Sequence, residues 1–201
     1  MTKFLRGPLR HFIKELASSS VTPGGGSAAA LVVATGTALL EMTARINAER
    51  EKKKTGKINS AAVSRIRELE KVGDSALDLI ERDAEAFKRL AKYFGKDKSD
   101  RGFQKAIGHS AEIPLEMCEL CLRALELMLP ERGRTSRWLA SDLAEGALLL
   151  DASFHAAHLN VEVNLREISD RRRVQRTRRR LDVWRRRAKK CKDELLKAFN
   201  P

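Results

Sequence analysis

Aromatic side chains make up only 5% of this 201-residue chain, with one tyrosine and two tryptophans. No stretch of any length alternates polar and apolar residues as a half-buried strand does. Together with long runs of helix formers, these absences point to an all-α fold. Cysteine is scarce as well: Cys118, Cys121 and Cys191 are the only three. Cys118 and Cys121 have Cys-x-x-Cys spacing, but no second pair follows and their segment is apolar. They read as core residues, and the chain as a reduced, cytoplasmic protein. His155 and His158 are three apart but do not read as metal ligands, and His11 and His109 read as surface or satisfied core residues, so no metal site is expected. Long hydrophobic runs are missing too. The longest, about Ala28 to Leu40, is interrupted by Thr35, Gly36 and Thr37 and is too short to span a bilayer. Lys3, Arg6 and Arg10 lie upstream, but Glu15 and a glycine turn follow, which does not fit a signal peptide. No membrane partner is expected, and the length suits one domain, 1–201, with a real core.

What is present begins with TPGGGSAAAL, Thr22 to Leu31. Upstream, Leu9, Phe12, Ile13 and Leu16 recur at i, i+3, i+4 and i+7, an amphipathic helix. Pro23 cannot continue that helix, and Gly24, Gly25 and Gly26 can take backbone angles closed to other residues. Ser27 is a natural N-cap for the apolar helix that follows. Glycines leading into a helix leave N–H groups free at the positive end of its dipole, where an anion or an electron-rich ring edge could bind. No strand precedes and no Gly-Lys-Ser/Thr follows, so this is neither a phosphate loop nor a dinucleotide fingerprint. On composition alone the stronger reading is a flexible helix–helix connector.

Four further helical patterns follow. The first spans Ser27 to about Arg50 and ends before a polar, lysine-rich loop. The second, Ile58 to Phe94, carries Ala62, Ile66, Leu69, Gly73, Ala76, Ile80, Asp83, Phe87, Leu90 and Phe94 on one stripe. That spacing puts Asp83 on a core face, where a carboxylate is costly unless it is paired or has a chemical task. Burial raises a carboxyl pKa and can tune it for proton transfer, so Asp83 is the first candidate acid or base. The third pattern, Phe103 to Leu129, contains Pro114, which should kink it. The fourth, Trp138 to Arg166, sets Asp142, Gly146, Ser153 and Asn160 on one narrow face, with Asn164 one turn later. Close helix packing explains Gly146 and Ser153; Asp142 and Asn160 suit a cleft.

The formal net charge is +13, and much of the excess lies between Arg171 and Lys190. Such a run can neutralise nucleic-acid phosphates. Yet Val174, Leu181, Ala188 and Leu195 fall seven apart, with Thr177, Trp184, Cys191 and Ala198 beside them. This a/d-like stripe predicts a packed helix over about 170–199 with its arginines in solvent, and weak, non-specific nucleic-acid binding at most.

TPGGGS before an alanine-rich helix resembles the opening of the formiminotransferase-cyclodeaminase C-terminal family. EREKKKTGK (Glu49 to Lys57), RDAEAF (Arg82 to Phe87), AEIPLEM (Ala111 to Met117), SDLAEGALLL (Ser141 to Leu150) and LNVEVNLREISD (Leu159 to Asp170) are similar to later family motifs, in the family's order. The resemblance covers about Phe4 to Asp170. It implies an antiparallel bundle of long helices, homodimeric, acting as methenyltetrahydrofolate cyclohydrolase or formimidoyltetrahydrofolate cyclodeaminase. Both reactions pass through a tetrahedral carbon and need proton transfer, with no metal or other cofactor. In this reading Asp83 is the general acid or base and Asp142 assists. Pro23, Gly24, Gly25, Gly26 and Ser27 hold the reduced folate, together with Arg137 and Asn160. Lys52, Lys53 and Lys54 pair with glutamate-tail carboxylates, including those of a polyglutamate; without the resemblance they read equally as a solvated loop. The family's Gly-Asn-Lys-Asn is replaced here by Thr135, Ser136, Arg137 and Trp138, which keeps only the basic position. The alternative is a non-catalytic relative that binds folate, or nucleic acid through its basic last helix.

Overall fold

The computed structural model describes residues 7–199. Among them the chain forms six α-helices and no strand: α1 (Leu9–Leu16), α2 (Gly25–Thr55), α3 (Ser60–Ala91), α4 (Arg101–Met128), α5 (Ala140–Leu165) and α6 (Arg171–Leu196). A 3-10 turn, Leu129–Glu131, follows α4. Local sequence sets several of these limits. Asn59, Asp100 and Asp170 each accept a hydrogen bond from the N–H three residues on, of Ala62, Phe103 and Arg173. Each bond satisfies a donor that the helix itself leaves free. Gly56 closes α2 in the left-handed region, with φ 70°, as glycine does without steric penalty.

α2 packs against α3, α4 and α5, while α6 lies on α4 and α5. The buried face of α2 is made of small residues, including Ala29, Ala30, Gly36, Thr37 and Ala44. Small side chains allow the axes to approach closely. A Cβ on Gly146 would stand 2.7 Å from Leu40 Cδ2 and 3.1 Å from the Gly36 carbonyl oxygen, so α2 and α5 meet glycine to glycine. α2 is long and apolar enough to cross a membrane over an 18-residue window of mean hydropathy 1.4, but half of that window is buried inside the bundle. The apolar run is thus longer than its interruptions imply, and a core helix explains it.

Two expectations change, and the segment around Pro114 adds a detail that spacing did not give. α1 forms where the periodicity places it, but only Phe12 is buried; Leu9 is 63% and Ile13 50% exposed. The lysine-rich loop is the end of α2, with Lys52, Lys53 and Lys54 in its last turn. Cations there oppose the negative end of the helix dipole, so no loop is needed to explain them. α4 runs through Pro114 without a break. Proline removes the N–H that Ser110 O would accept; the Asn164 side chain on α5 donates to that oxygen instead, at 2.9 Å. One amide across the interface repairs the ladder.

The last helix follows its pattern. Val174, Leu181, Ala188, Cys191 and Leu195 are buried. All three cysteines are free and buried. Burial pushes the Cys118 thiol up to about 12.

Candidate functional site

The glycine turn folds differently from its sequence reading. α2 begins at Gly25, with Gly24 as its cap residue at φ −121° and no side-chain cap. Among the described residues only Gly56 and Gly95 have positive φ. The glycines of the turn are therefore not needed for unusual backbone angles; at Gly26 the need is space. A Cβ on Gly26 would lie 2.0 Å from Asp83 Oδ1 and 2.5 Å from its Cγ. Ser27 is not the N-cap either, because it stands inside the first turn. Fully buried, it donates from Oγ toward the Ile80 carbonyl and Asp83 Oδ2, each at 3.0 Å. The Ser27 backbone N–H also bonds the Asp83 carboxylate. The positive helix end is thus met by an anion from the protein itself.

Asp83 reaches this position from α3, where neighbours Ala84 and Ala86 are buried and Asp83 is half-buried. Burial raises its pKa above the ordinary aspartate value, while the two bonds from Ser27 pull it back. Such a group holds its proton longer than a solvated aspartate and can exchange it nearer neutrality. It lines a cavity of about 230 Å³ with Gly24, Gly25, Gly26, Pro114, Asn160 and Val163. Pro23 is buried beneath and does not line it. Among the described residues Asn160 has no hydrogen-bond partner, so its amide is free to meet a ligand in the cavity that Asp83 also lines. Asn164 lines the same cavity but is committed to Ser110 O.

The other candidates lie elsewhere. Lys53 is 27 residues from Gly26 on one helix, about 40 Å along its axis. Lys53 and Lys54 line a second, open cleft with Asn47, Arg50, Glu51, Thr55 and Arg134, and Lys52 is exposed beside it. Arg137 is exposed and stacks over the Trp138 ring at 5.2 Å. Asp142 occupies the first turn of α5, about 27 Å along the helix from Asn160. Within one chain, Asp142, Arg137 and the lysines do not join Asp83.

The second cleft rests on a network that residue patterns did not reveal. Glu131 is 1% exposed and accepts from Arg65 Nη2 at 2.6 Å and from Asn47 Nδ2 at 2.8 Å. Asn47 also donates to Thr135 Oγ1 at 2.9 Å, and that hydroxyl donates to the Glu131 carbonyl at 2.8 Å. Thr135, one of the substituted motif residues, is thereby fixed in the turn before α5. The three groups come from α2, α3 and the turn after α4, so no single helical period could relate them.

A sequence profile of the formiminotransferase-cyclodeaminase family matches residues 8–183. The methenyltetrahydrofolate cyclohydrolase of Methylorubrum extorquens is 30% identical over 170 residues, covering 80% of this chain and 80% of that protein. The formimidoyltransferase-cyclodeaminase of Rattus norvegicus is 27% identical over 187 residues, 88% of this chain but 34% of that longer protein. This chain therefore spans about a third of it. The crystal structure of formiminotetrahydrofolate cyclodeaminase from Thermotoga maritima superposes with a TM-score of 0.86 at 24% identity, covering 97% of this chain and 96% of that one. At that identity the likeness establishes the fold.

Proposed function

Because the chain belongs to the formiminotransferase-cyclodeaminase family, we propose that it is a folate one-carbon enzyme acting on the C–N bonds of a methenyl- or formimidoyl-tetrahydrofolate. The observation that carries this reading is the Asp83 carboxylate, seated on Gly26, bonded by Ser27 and lining a cavity beside the free amide of Asn160. Hydrolysis of a methenyl bridge and its closure from a formimidoyl group both pass through a tetrahedral carbon. Each needs a group that takes a proton from one heteroatom and returns it to another. A carboxyl with a raised pKa suits that exchange, and the Asn160 amide can hydrogen-bond the polar edge of a pterin. The chemistry asks for proton transfer and for no redox step, so no cofactor enters this reading.

We read the six helices as an antiparallel bundle that pairs as a homodimer. At about 230 Å³ the Asp83 cavity is smaller than the roughly 300–1,000 Å³ of most ligand sites. Val21 and Val163 line it and are 73% and 60% exposed. On the outward side of α5, Leu148 and Leu159 continue that apolar rim. A second copy laid on this face would close the cavity. A two-fold axis there would also bring the other copy's lysine-bearing end, with Asp142 and Arg137, toward Asp83 and supply cations for a glutamate tail.

Absorbance of the methenyltetrahydrofolate band tests the activity and separates the two reactions. Loss of the band from added methenyltetrahydrofolate, faster than the uncatalysed rate, identifies a cyclohydrolase. Its appearance from formimidoyltetrahydrofolate, with release of ammonia, identifies a cyclodeaminase. Pure protein that changes neither rate would overturn the reading in favour of a non-catalytic binding protein.

A further inference from the structure

α6 carries ten arginines and three lysines against three acidic residues. It thus holds a formal excess of ten positive charges in a chain whose total is +13. These cations fall into two groups. Those flanking the buried stripe are neutralised by the helices beneath: Arg173 pairs with Glu112 at 2.9 Å, Arg178 with Glu162 at 2.8 Å and Arg187 with Glu126 at 2.6 Å. The outward row is different. Arg172, Arg176, Arg179, Arg186 and Lys190 are exposed, and among the described residues they form no ion pair within 4.0 Å. With Val183 they recur in alternating steps of four and three, one straight line about 27 Å long. Near the start of α6, Arg173 reaches a separate cleft of about 630 Å³ that holds Arg89, Lys92, Lys105 and His109 together with the acidic Glu112, and no member of the outward row lines it. No residue of α6 lines the Asp83 cavity, so the row plays no part in the proposed reaction.

A row of unpaired cations on a rigid helix repels itself, and a polyanion laid along it relieves that repulsion. We infer that the outward face of α6 is a sequence-independent docking surface for the phosphate backbone of nucleic acid. Three observations favour this occupant. The cations are mostly arginine, whose planar fork matches phosphate oxygens and is more weakly hydrated than an ammonium. The apolar face of α6 is already buried against α4 and α5, and Val183, 45% exposed, is the sole apolar member of the outward row. A helix that lies in a membrane interface needs that apolar face free. Finally, the row is a straight line of cations that offers successive phosphates a continuous partner, and phosphate contacts carry no sequence information.

The test uses the full chain and a labelled duplex of about 20 base pairs, roughly two turns, with binding followed by fluorescence anisotropy between about 50 and 200 mM salt. The quadruple variant R172Q/R176Q/R179Q/R186Q leaves every buried side chain in place and should show the parent's thermal melt. It should bind at least about tenfold more weakly, with a log–log salt slope shallower by up to about 3.6, near 0.9 for each phosphate left without its arginine. A charge-matched control, K14Q/K57Q/K71Q/K88Q, removes the same formal charge elsewhere and should bind nearly as the parent does. Equal weakening in the two variants, or a parent slope near zero, would overturn the proposal. Tighter capture by phosphatidylserine vesicles than by the duplex, abolished in the quadruple variant, would overturn it in favour of a membrane surface.

Discussion

Asp83 stands between opposing influences, with burial disfavouring its charge and the Ser27 bonds and helix end favouring it. Its pKa is raised on balance, which links activity and stability to pH with definite signs. A base must be ionised, so kcat/KM should fall on the acid side at a pH above the ordinary aspartate range. Asp83→Asn should cut turnover by about 10²-fold or more and abolish that acid limb. Stability should move the other way. A carboxyl whose folded pKa is raised stabilises the fold while protonated, and that contribution is lost as pH rises through the folded value. The ionised form therefore weakens the fold at neutral pH. Asp83→Asn should melt at or above the parent temperature there, the difference vanishing below the unfolded aspartate pKa. A melt lowered at pH 7 would show that the carboxylate is a net structural anchor.

The two neighbouring glycines separate space from function at the same scale. Gly26→Ala drives a methyl into the carboxylate and should displace Asp83, lowering activity nearly as far as Asp83→Asn does. A Cβ on Gly25 meets nothing within 4 Å, and Gly25 lines the cavity. Gly25→Val should therefore leave helical content and melt close to the parent while weakening folate binding. Unchanged affinity, measured by titration calorimetry, would reduce the turn to a connector.

Among the elements, α2 and α5 meet backbone to backbone through their glycines. Gly36 and Gly146 come so close that an added methyl at Gly146 meets Leu40, and a branched side chain would also press on the Gly36 carbonyl. Gly146→Val should cost at least about 1–3 kcal/mol, the usual range for overpacking a core, and chemical denaturation would measure it. The loss of folate affinity should follow only insofar as Asn160, further along α5, shifts with the helix.

For the whole molecule, α6 is part of the core as well as a charged surface. Deleting the chain after Asp170 uncovers the surfaces that Val174, Leu181, Ala188 and Leu195 cover. Thermal melting should then occur well below the parent temperature, or the fragment should fail to fold. An unchanged melt would mean that the stripe contributes little. The proposed dimer has its own test. Leu159→Glu changes a side chain 70% exposed in one copy, so a monomer tolerates it. Light scattering should show the parent as a dimer and the variant as a monomer, with methenyltetrahydrofolate turnover largely lost. Full activity in a monomeric variant would place the complete site within one chain.

Periodicity within the sequence was enough for the all-α class, for the six helices apart from the lysine-rich last turn of α2, and for the buried stripe of α6, because a helix repeats its burial every 3.6 residues. It also brought Asp83 forward, since a carboxylate interrupting an apolar stripe is visible without coordinates. The family likewise was legible from ordered motifs that the profile then matched over residues 8–183. Relations between segments distant in sequence were not legible. That Gly26 is small to seat a carboxylate 57 positions away, that Asn164 repairs the carbonyl freed by Pro114, and that Glu131 joins Arg65 and Asn47 depend on how helices dock. The same docking divides the site residues between two ends of a long bundle. Spacing along a helix states which residues share a face; only the packing of one helix on another decides which faces meet.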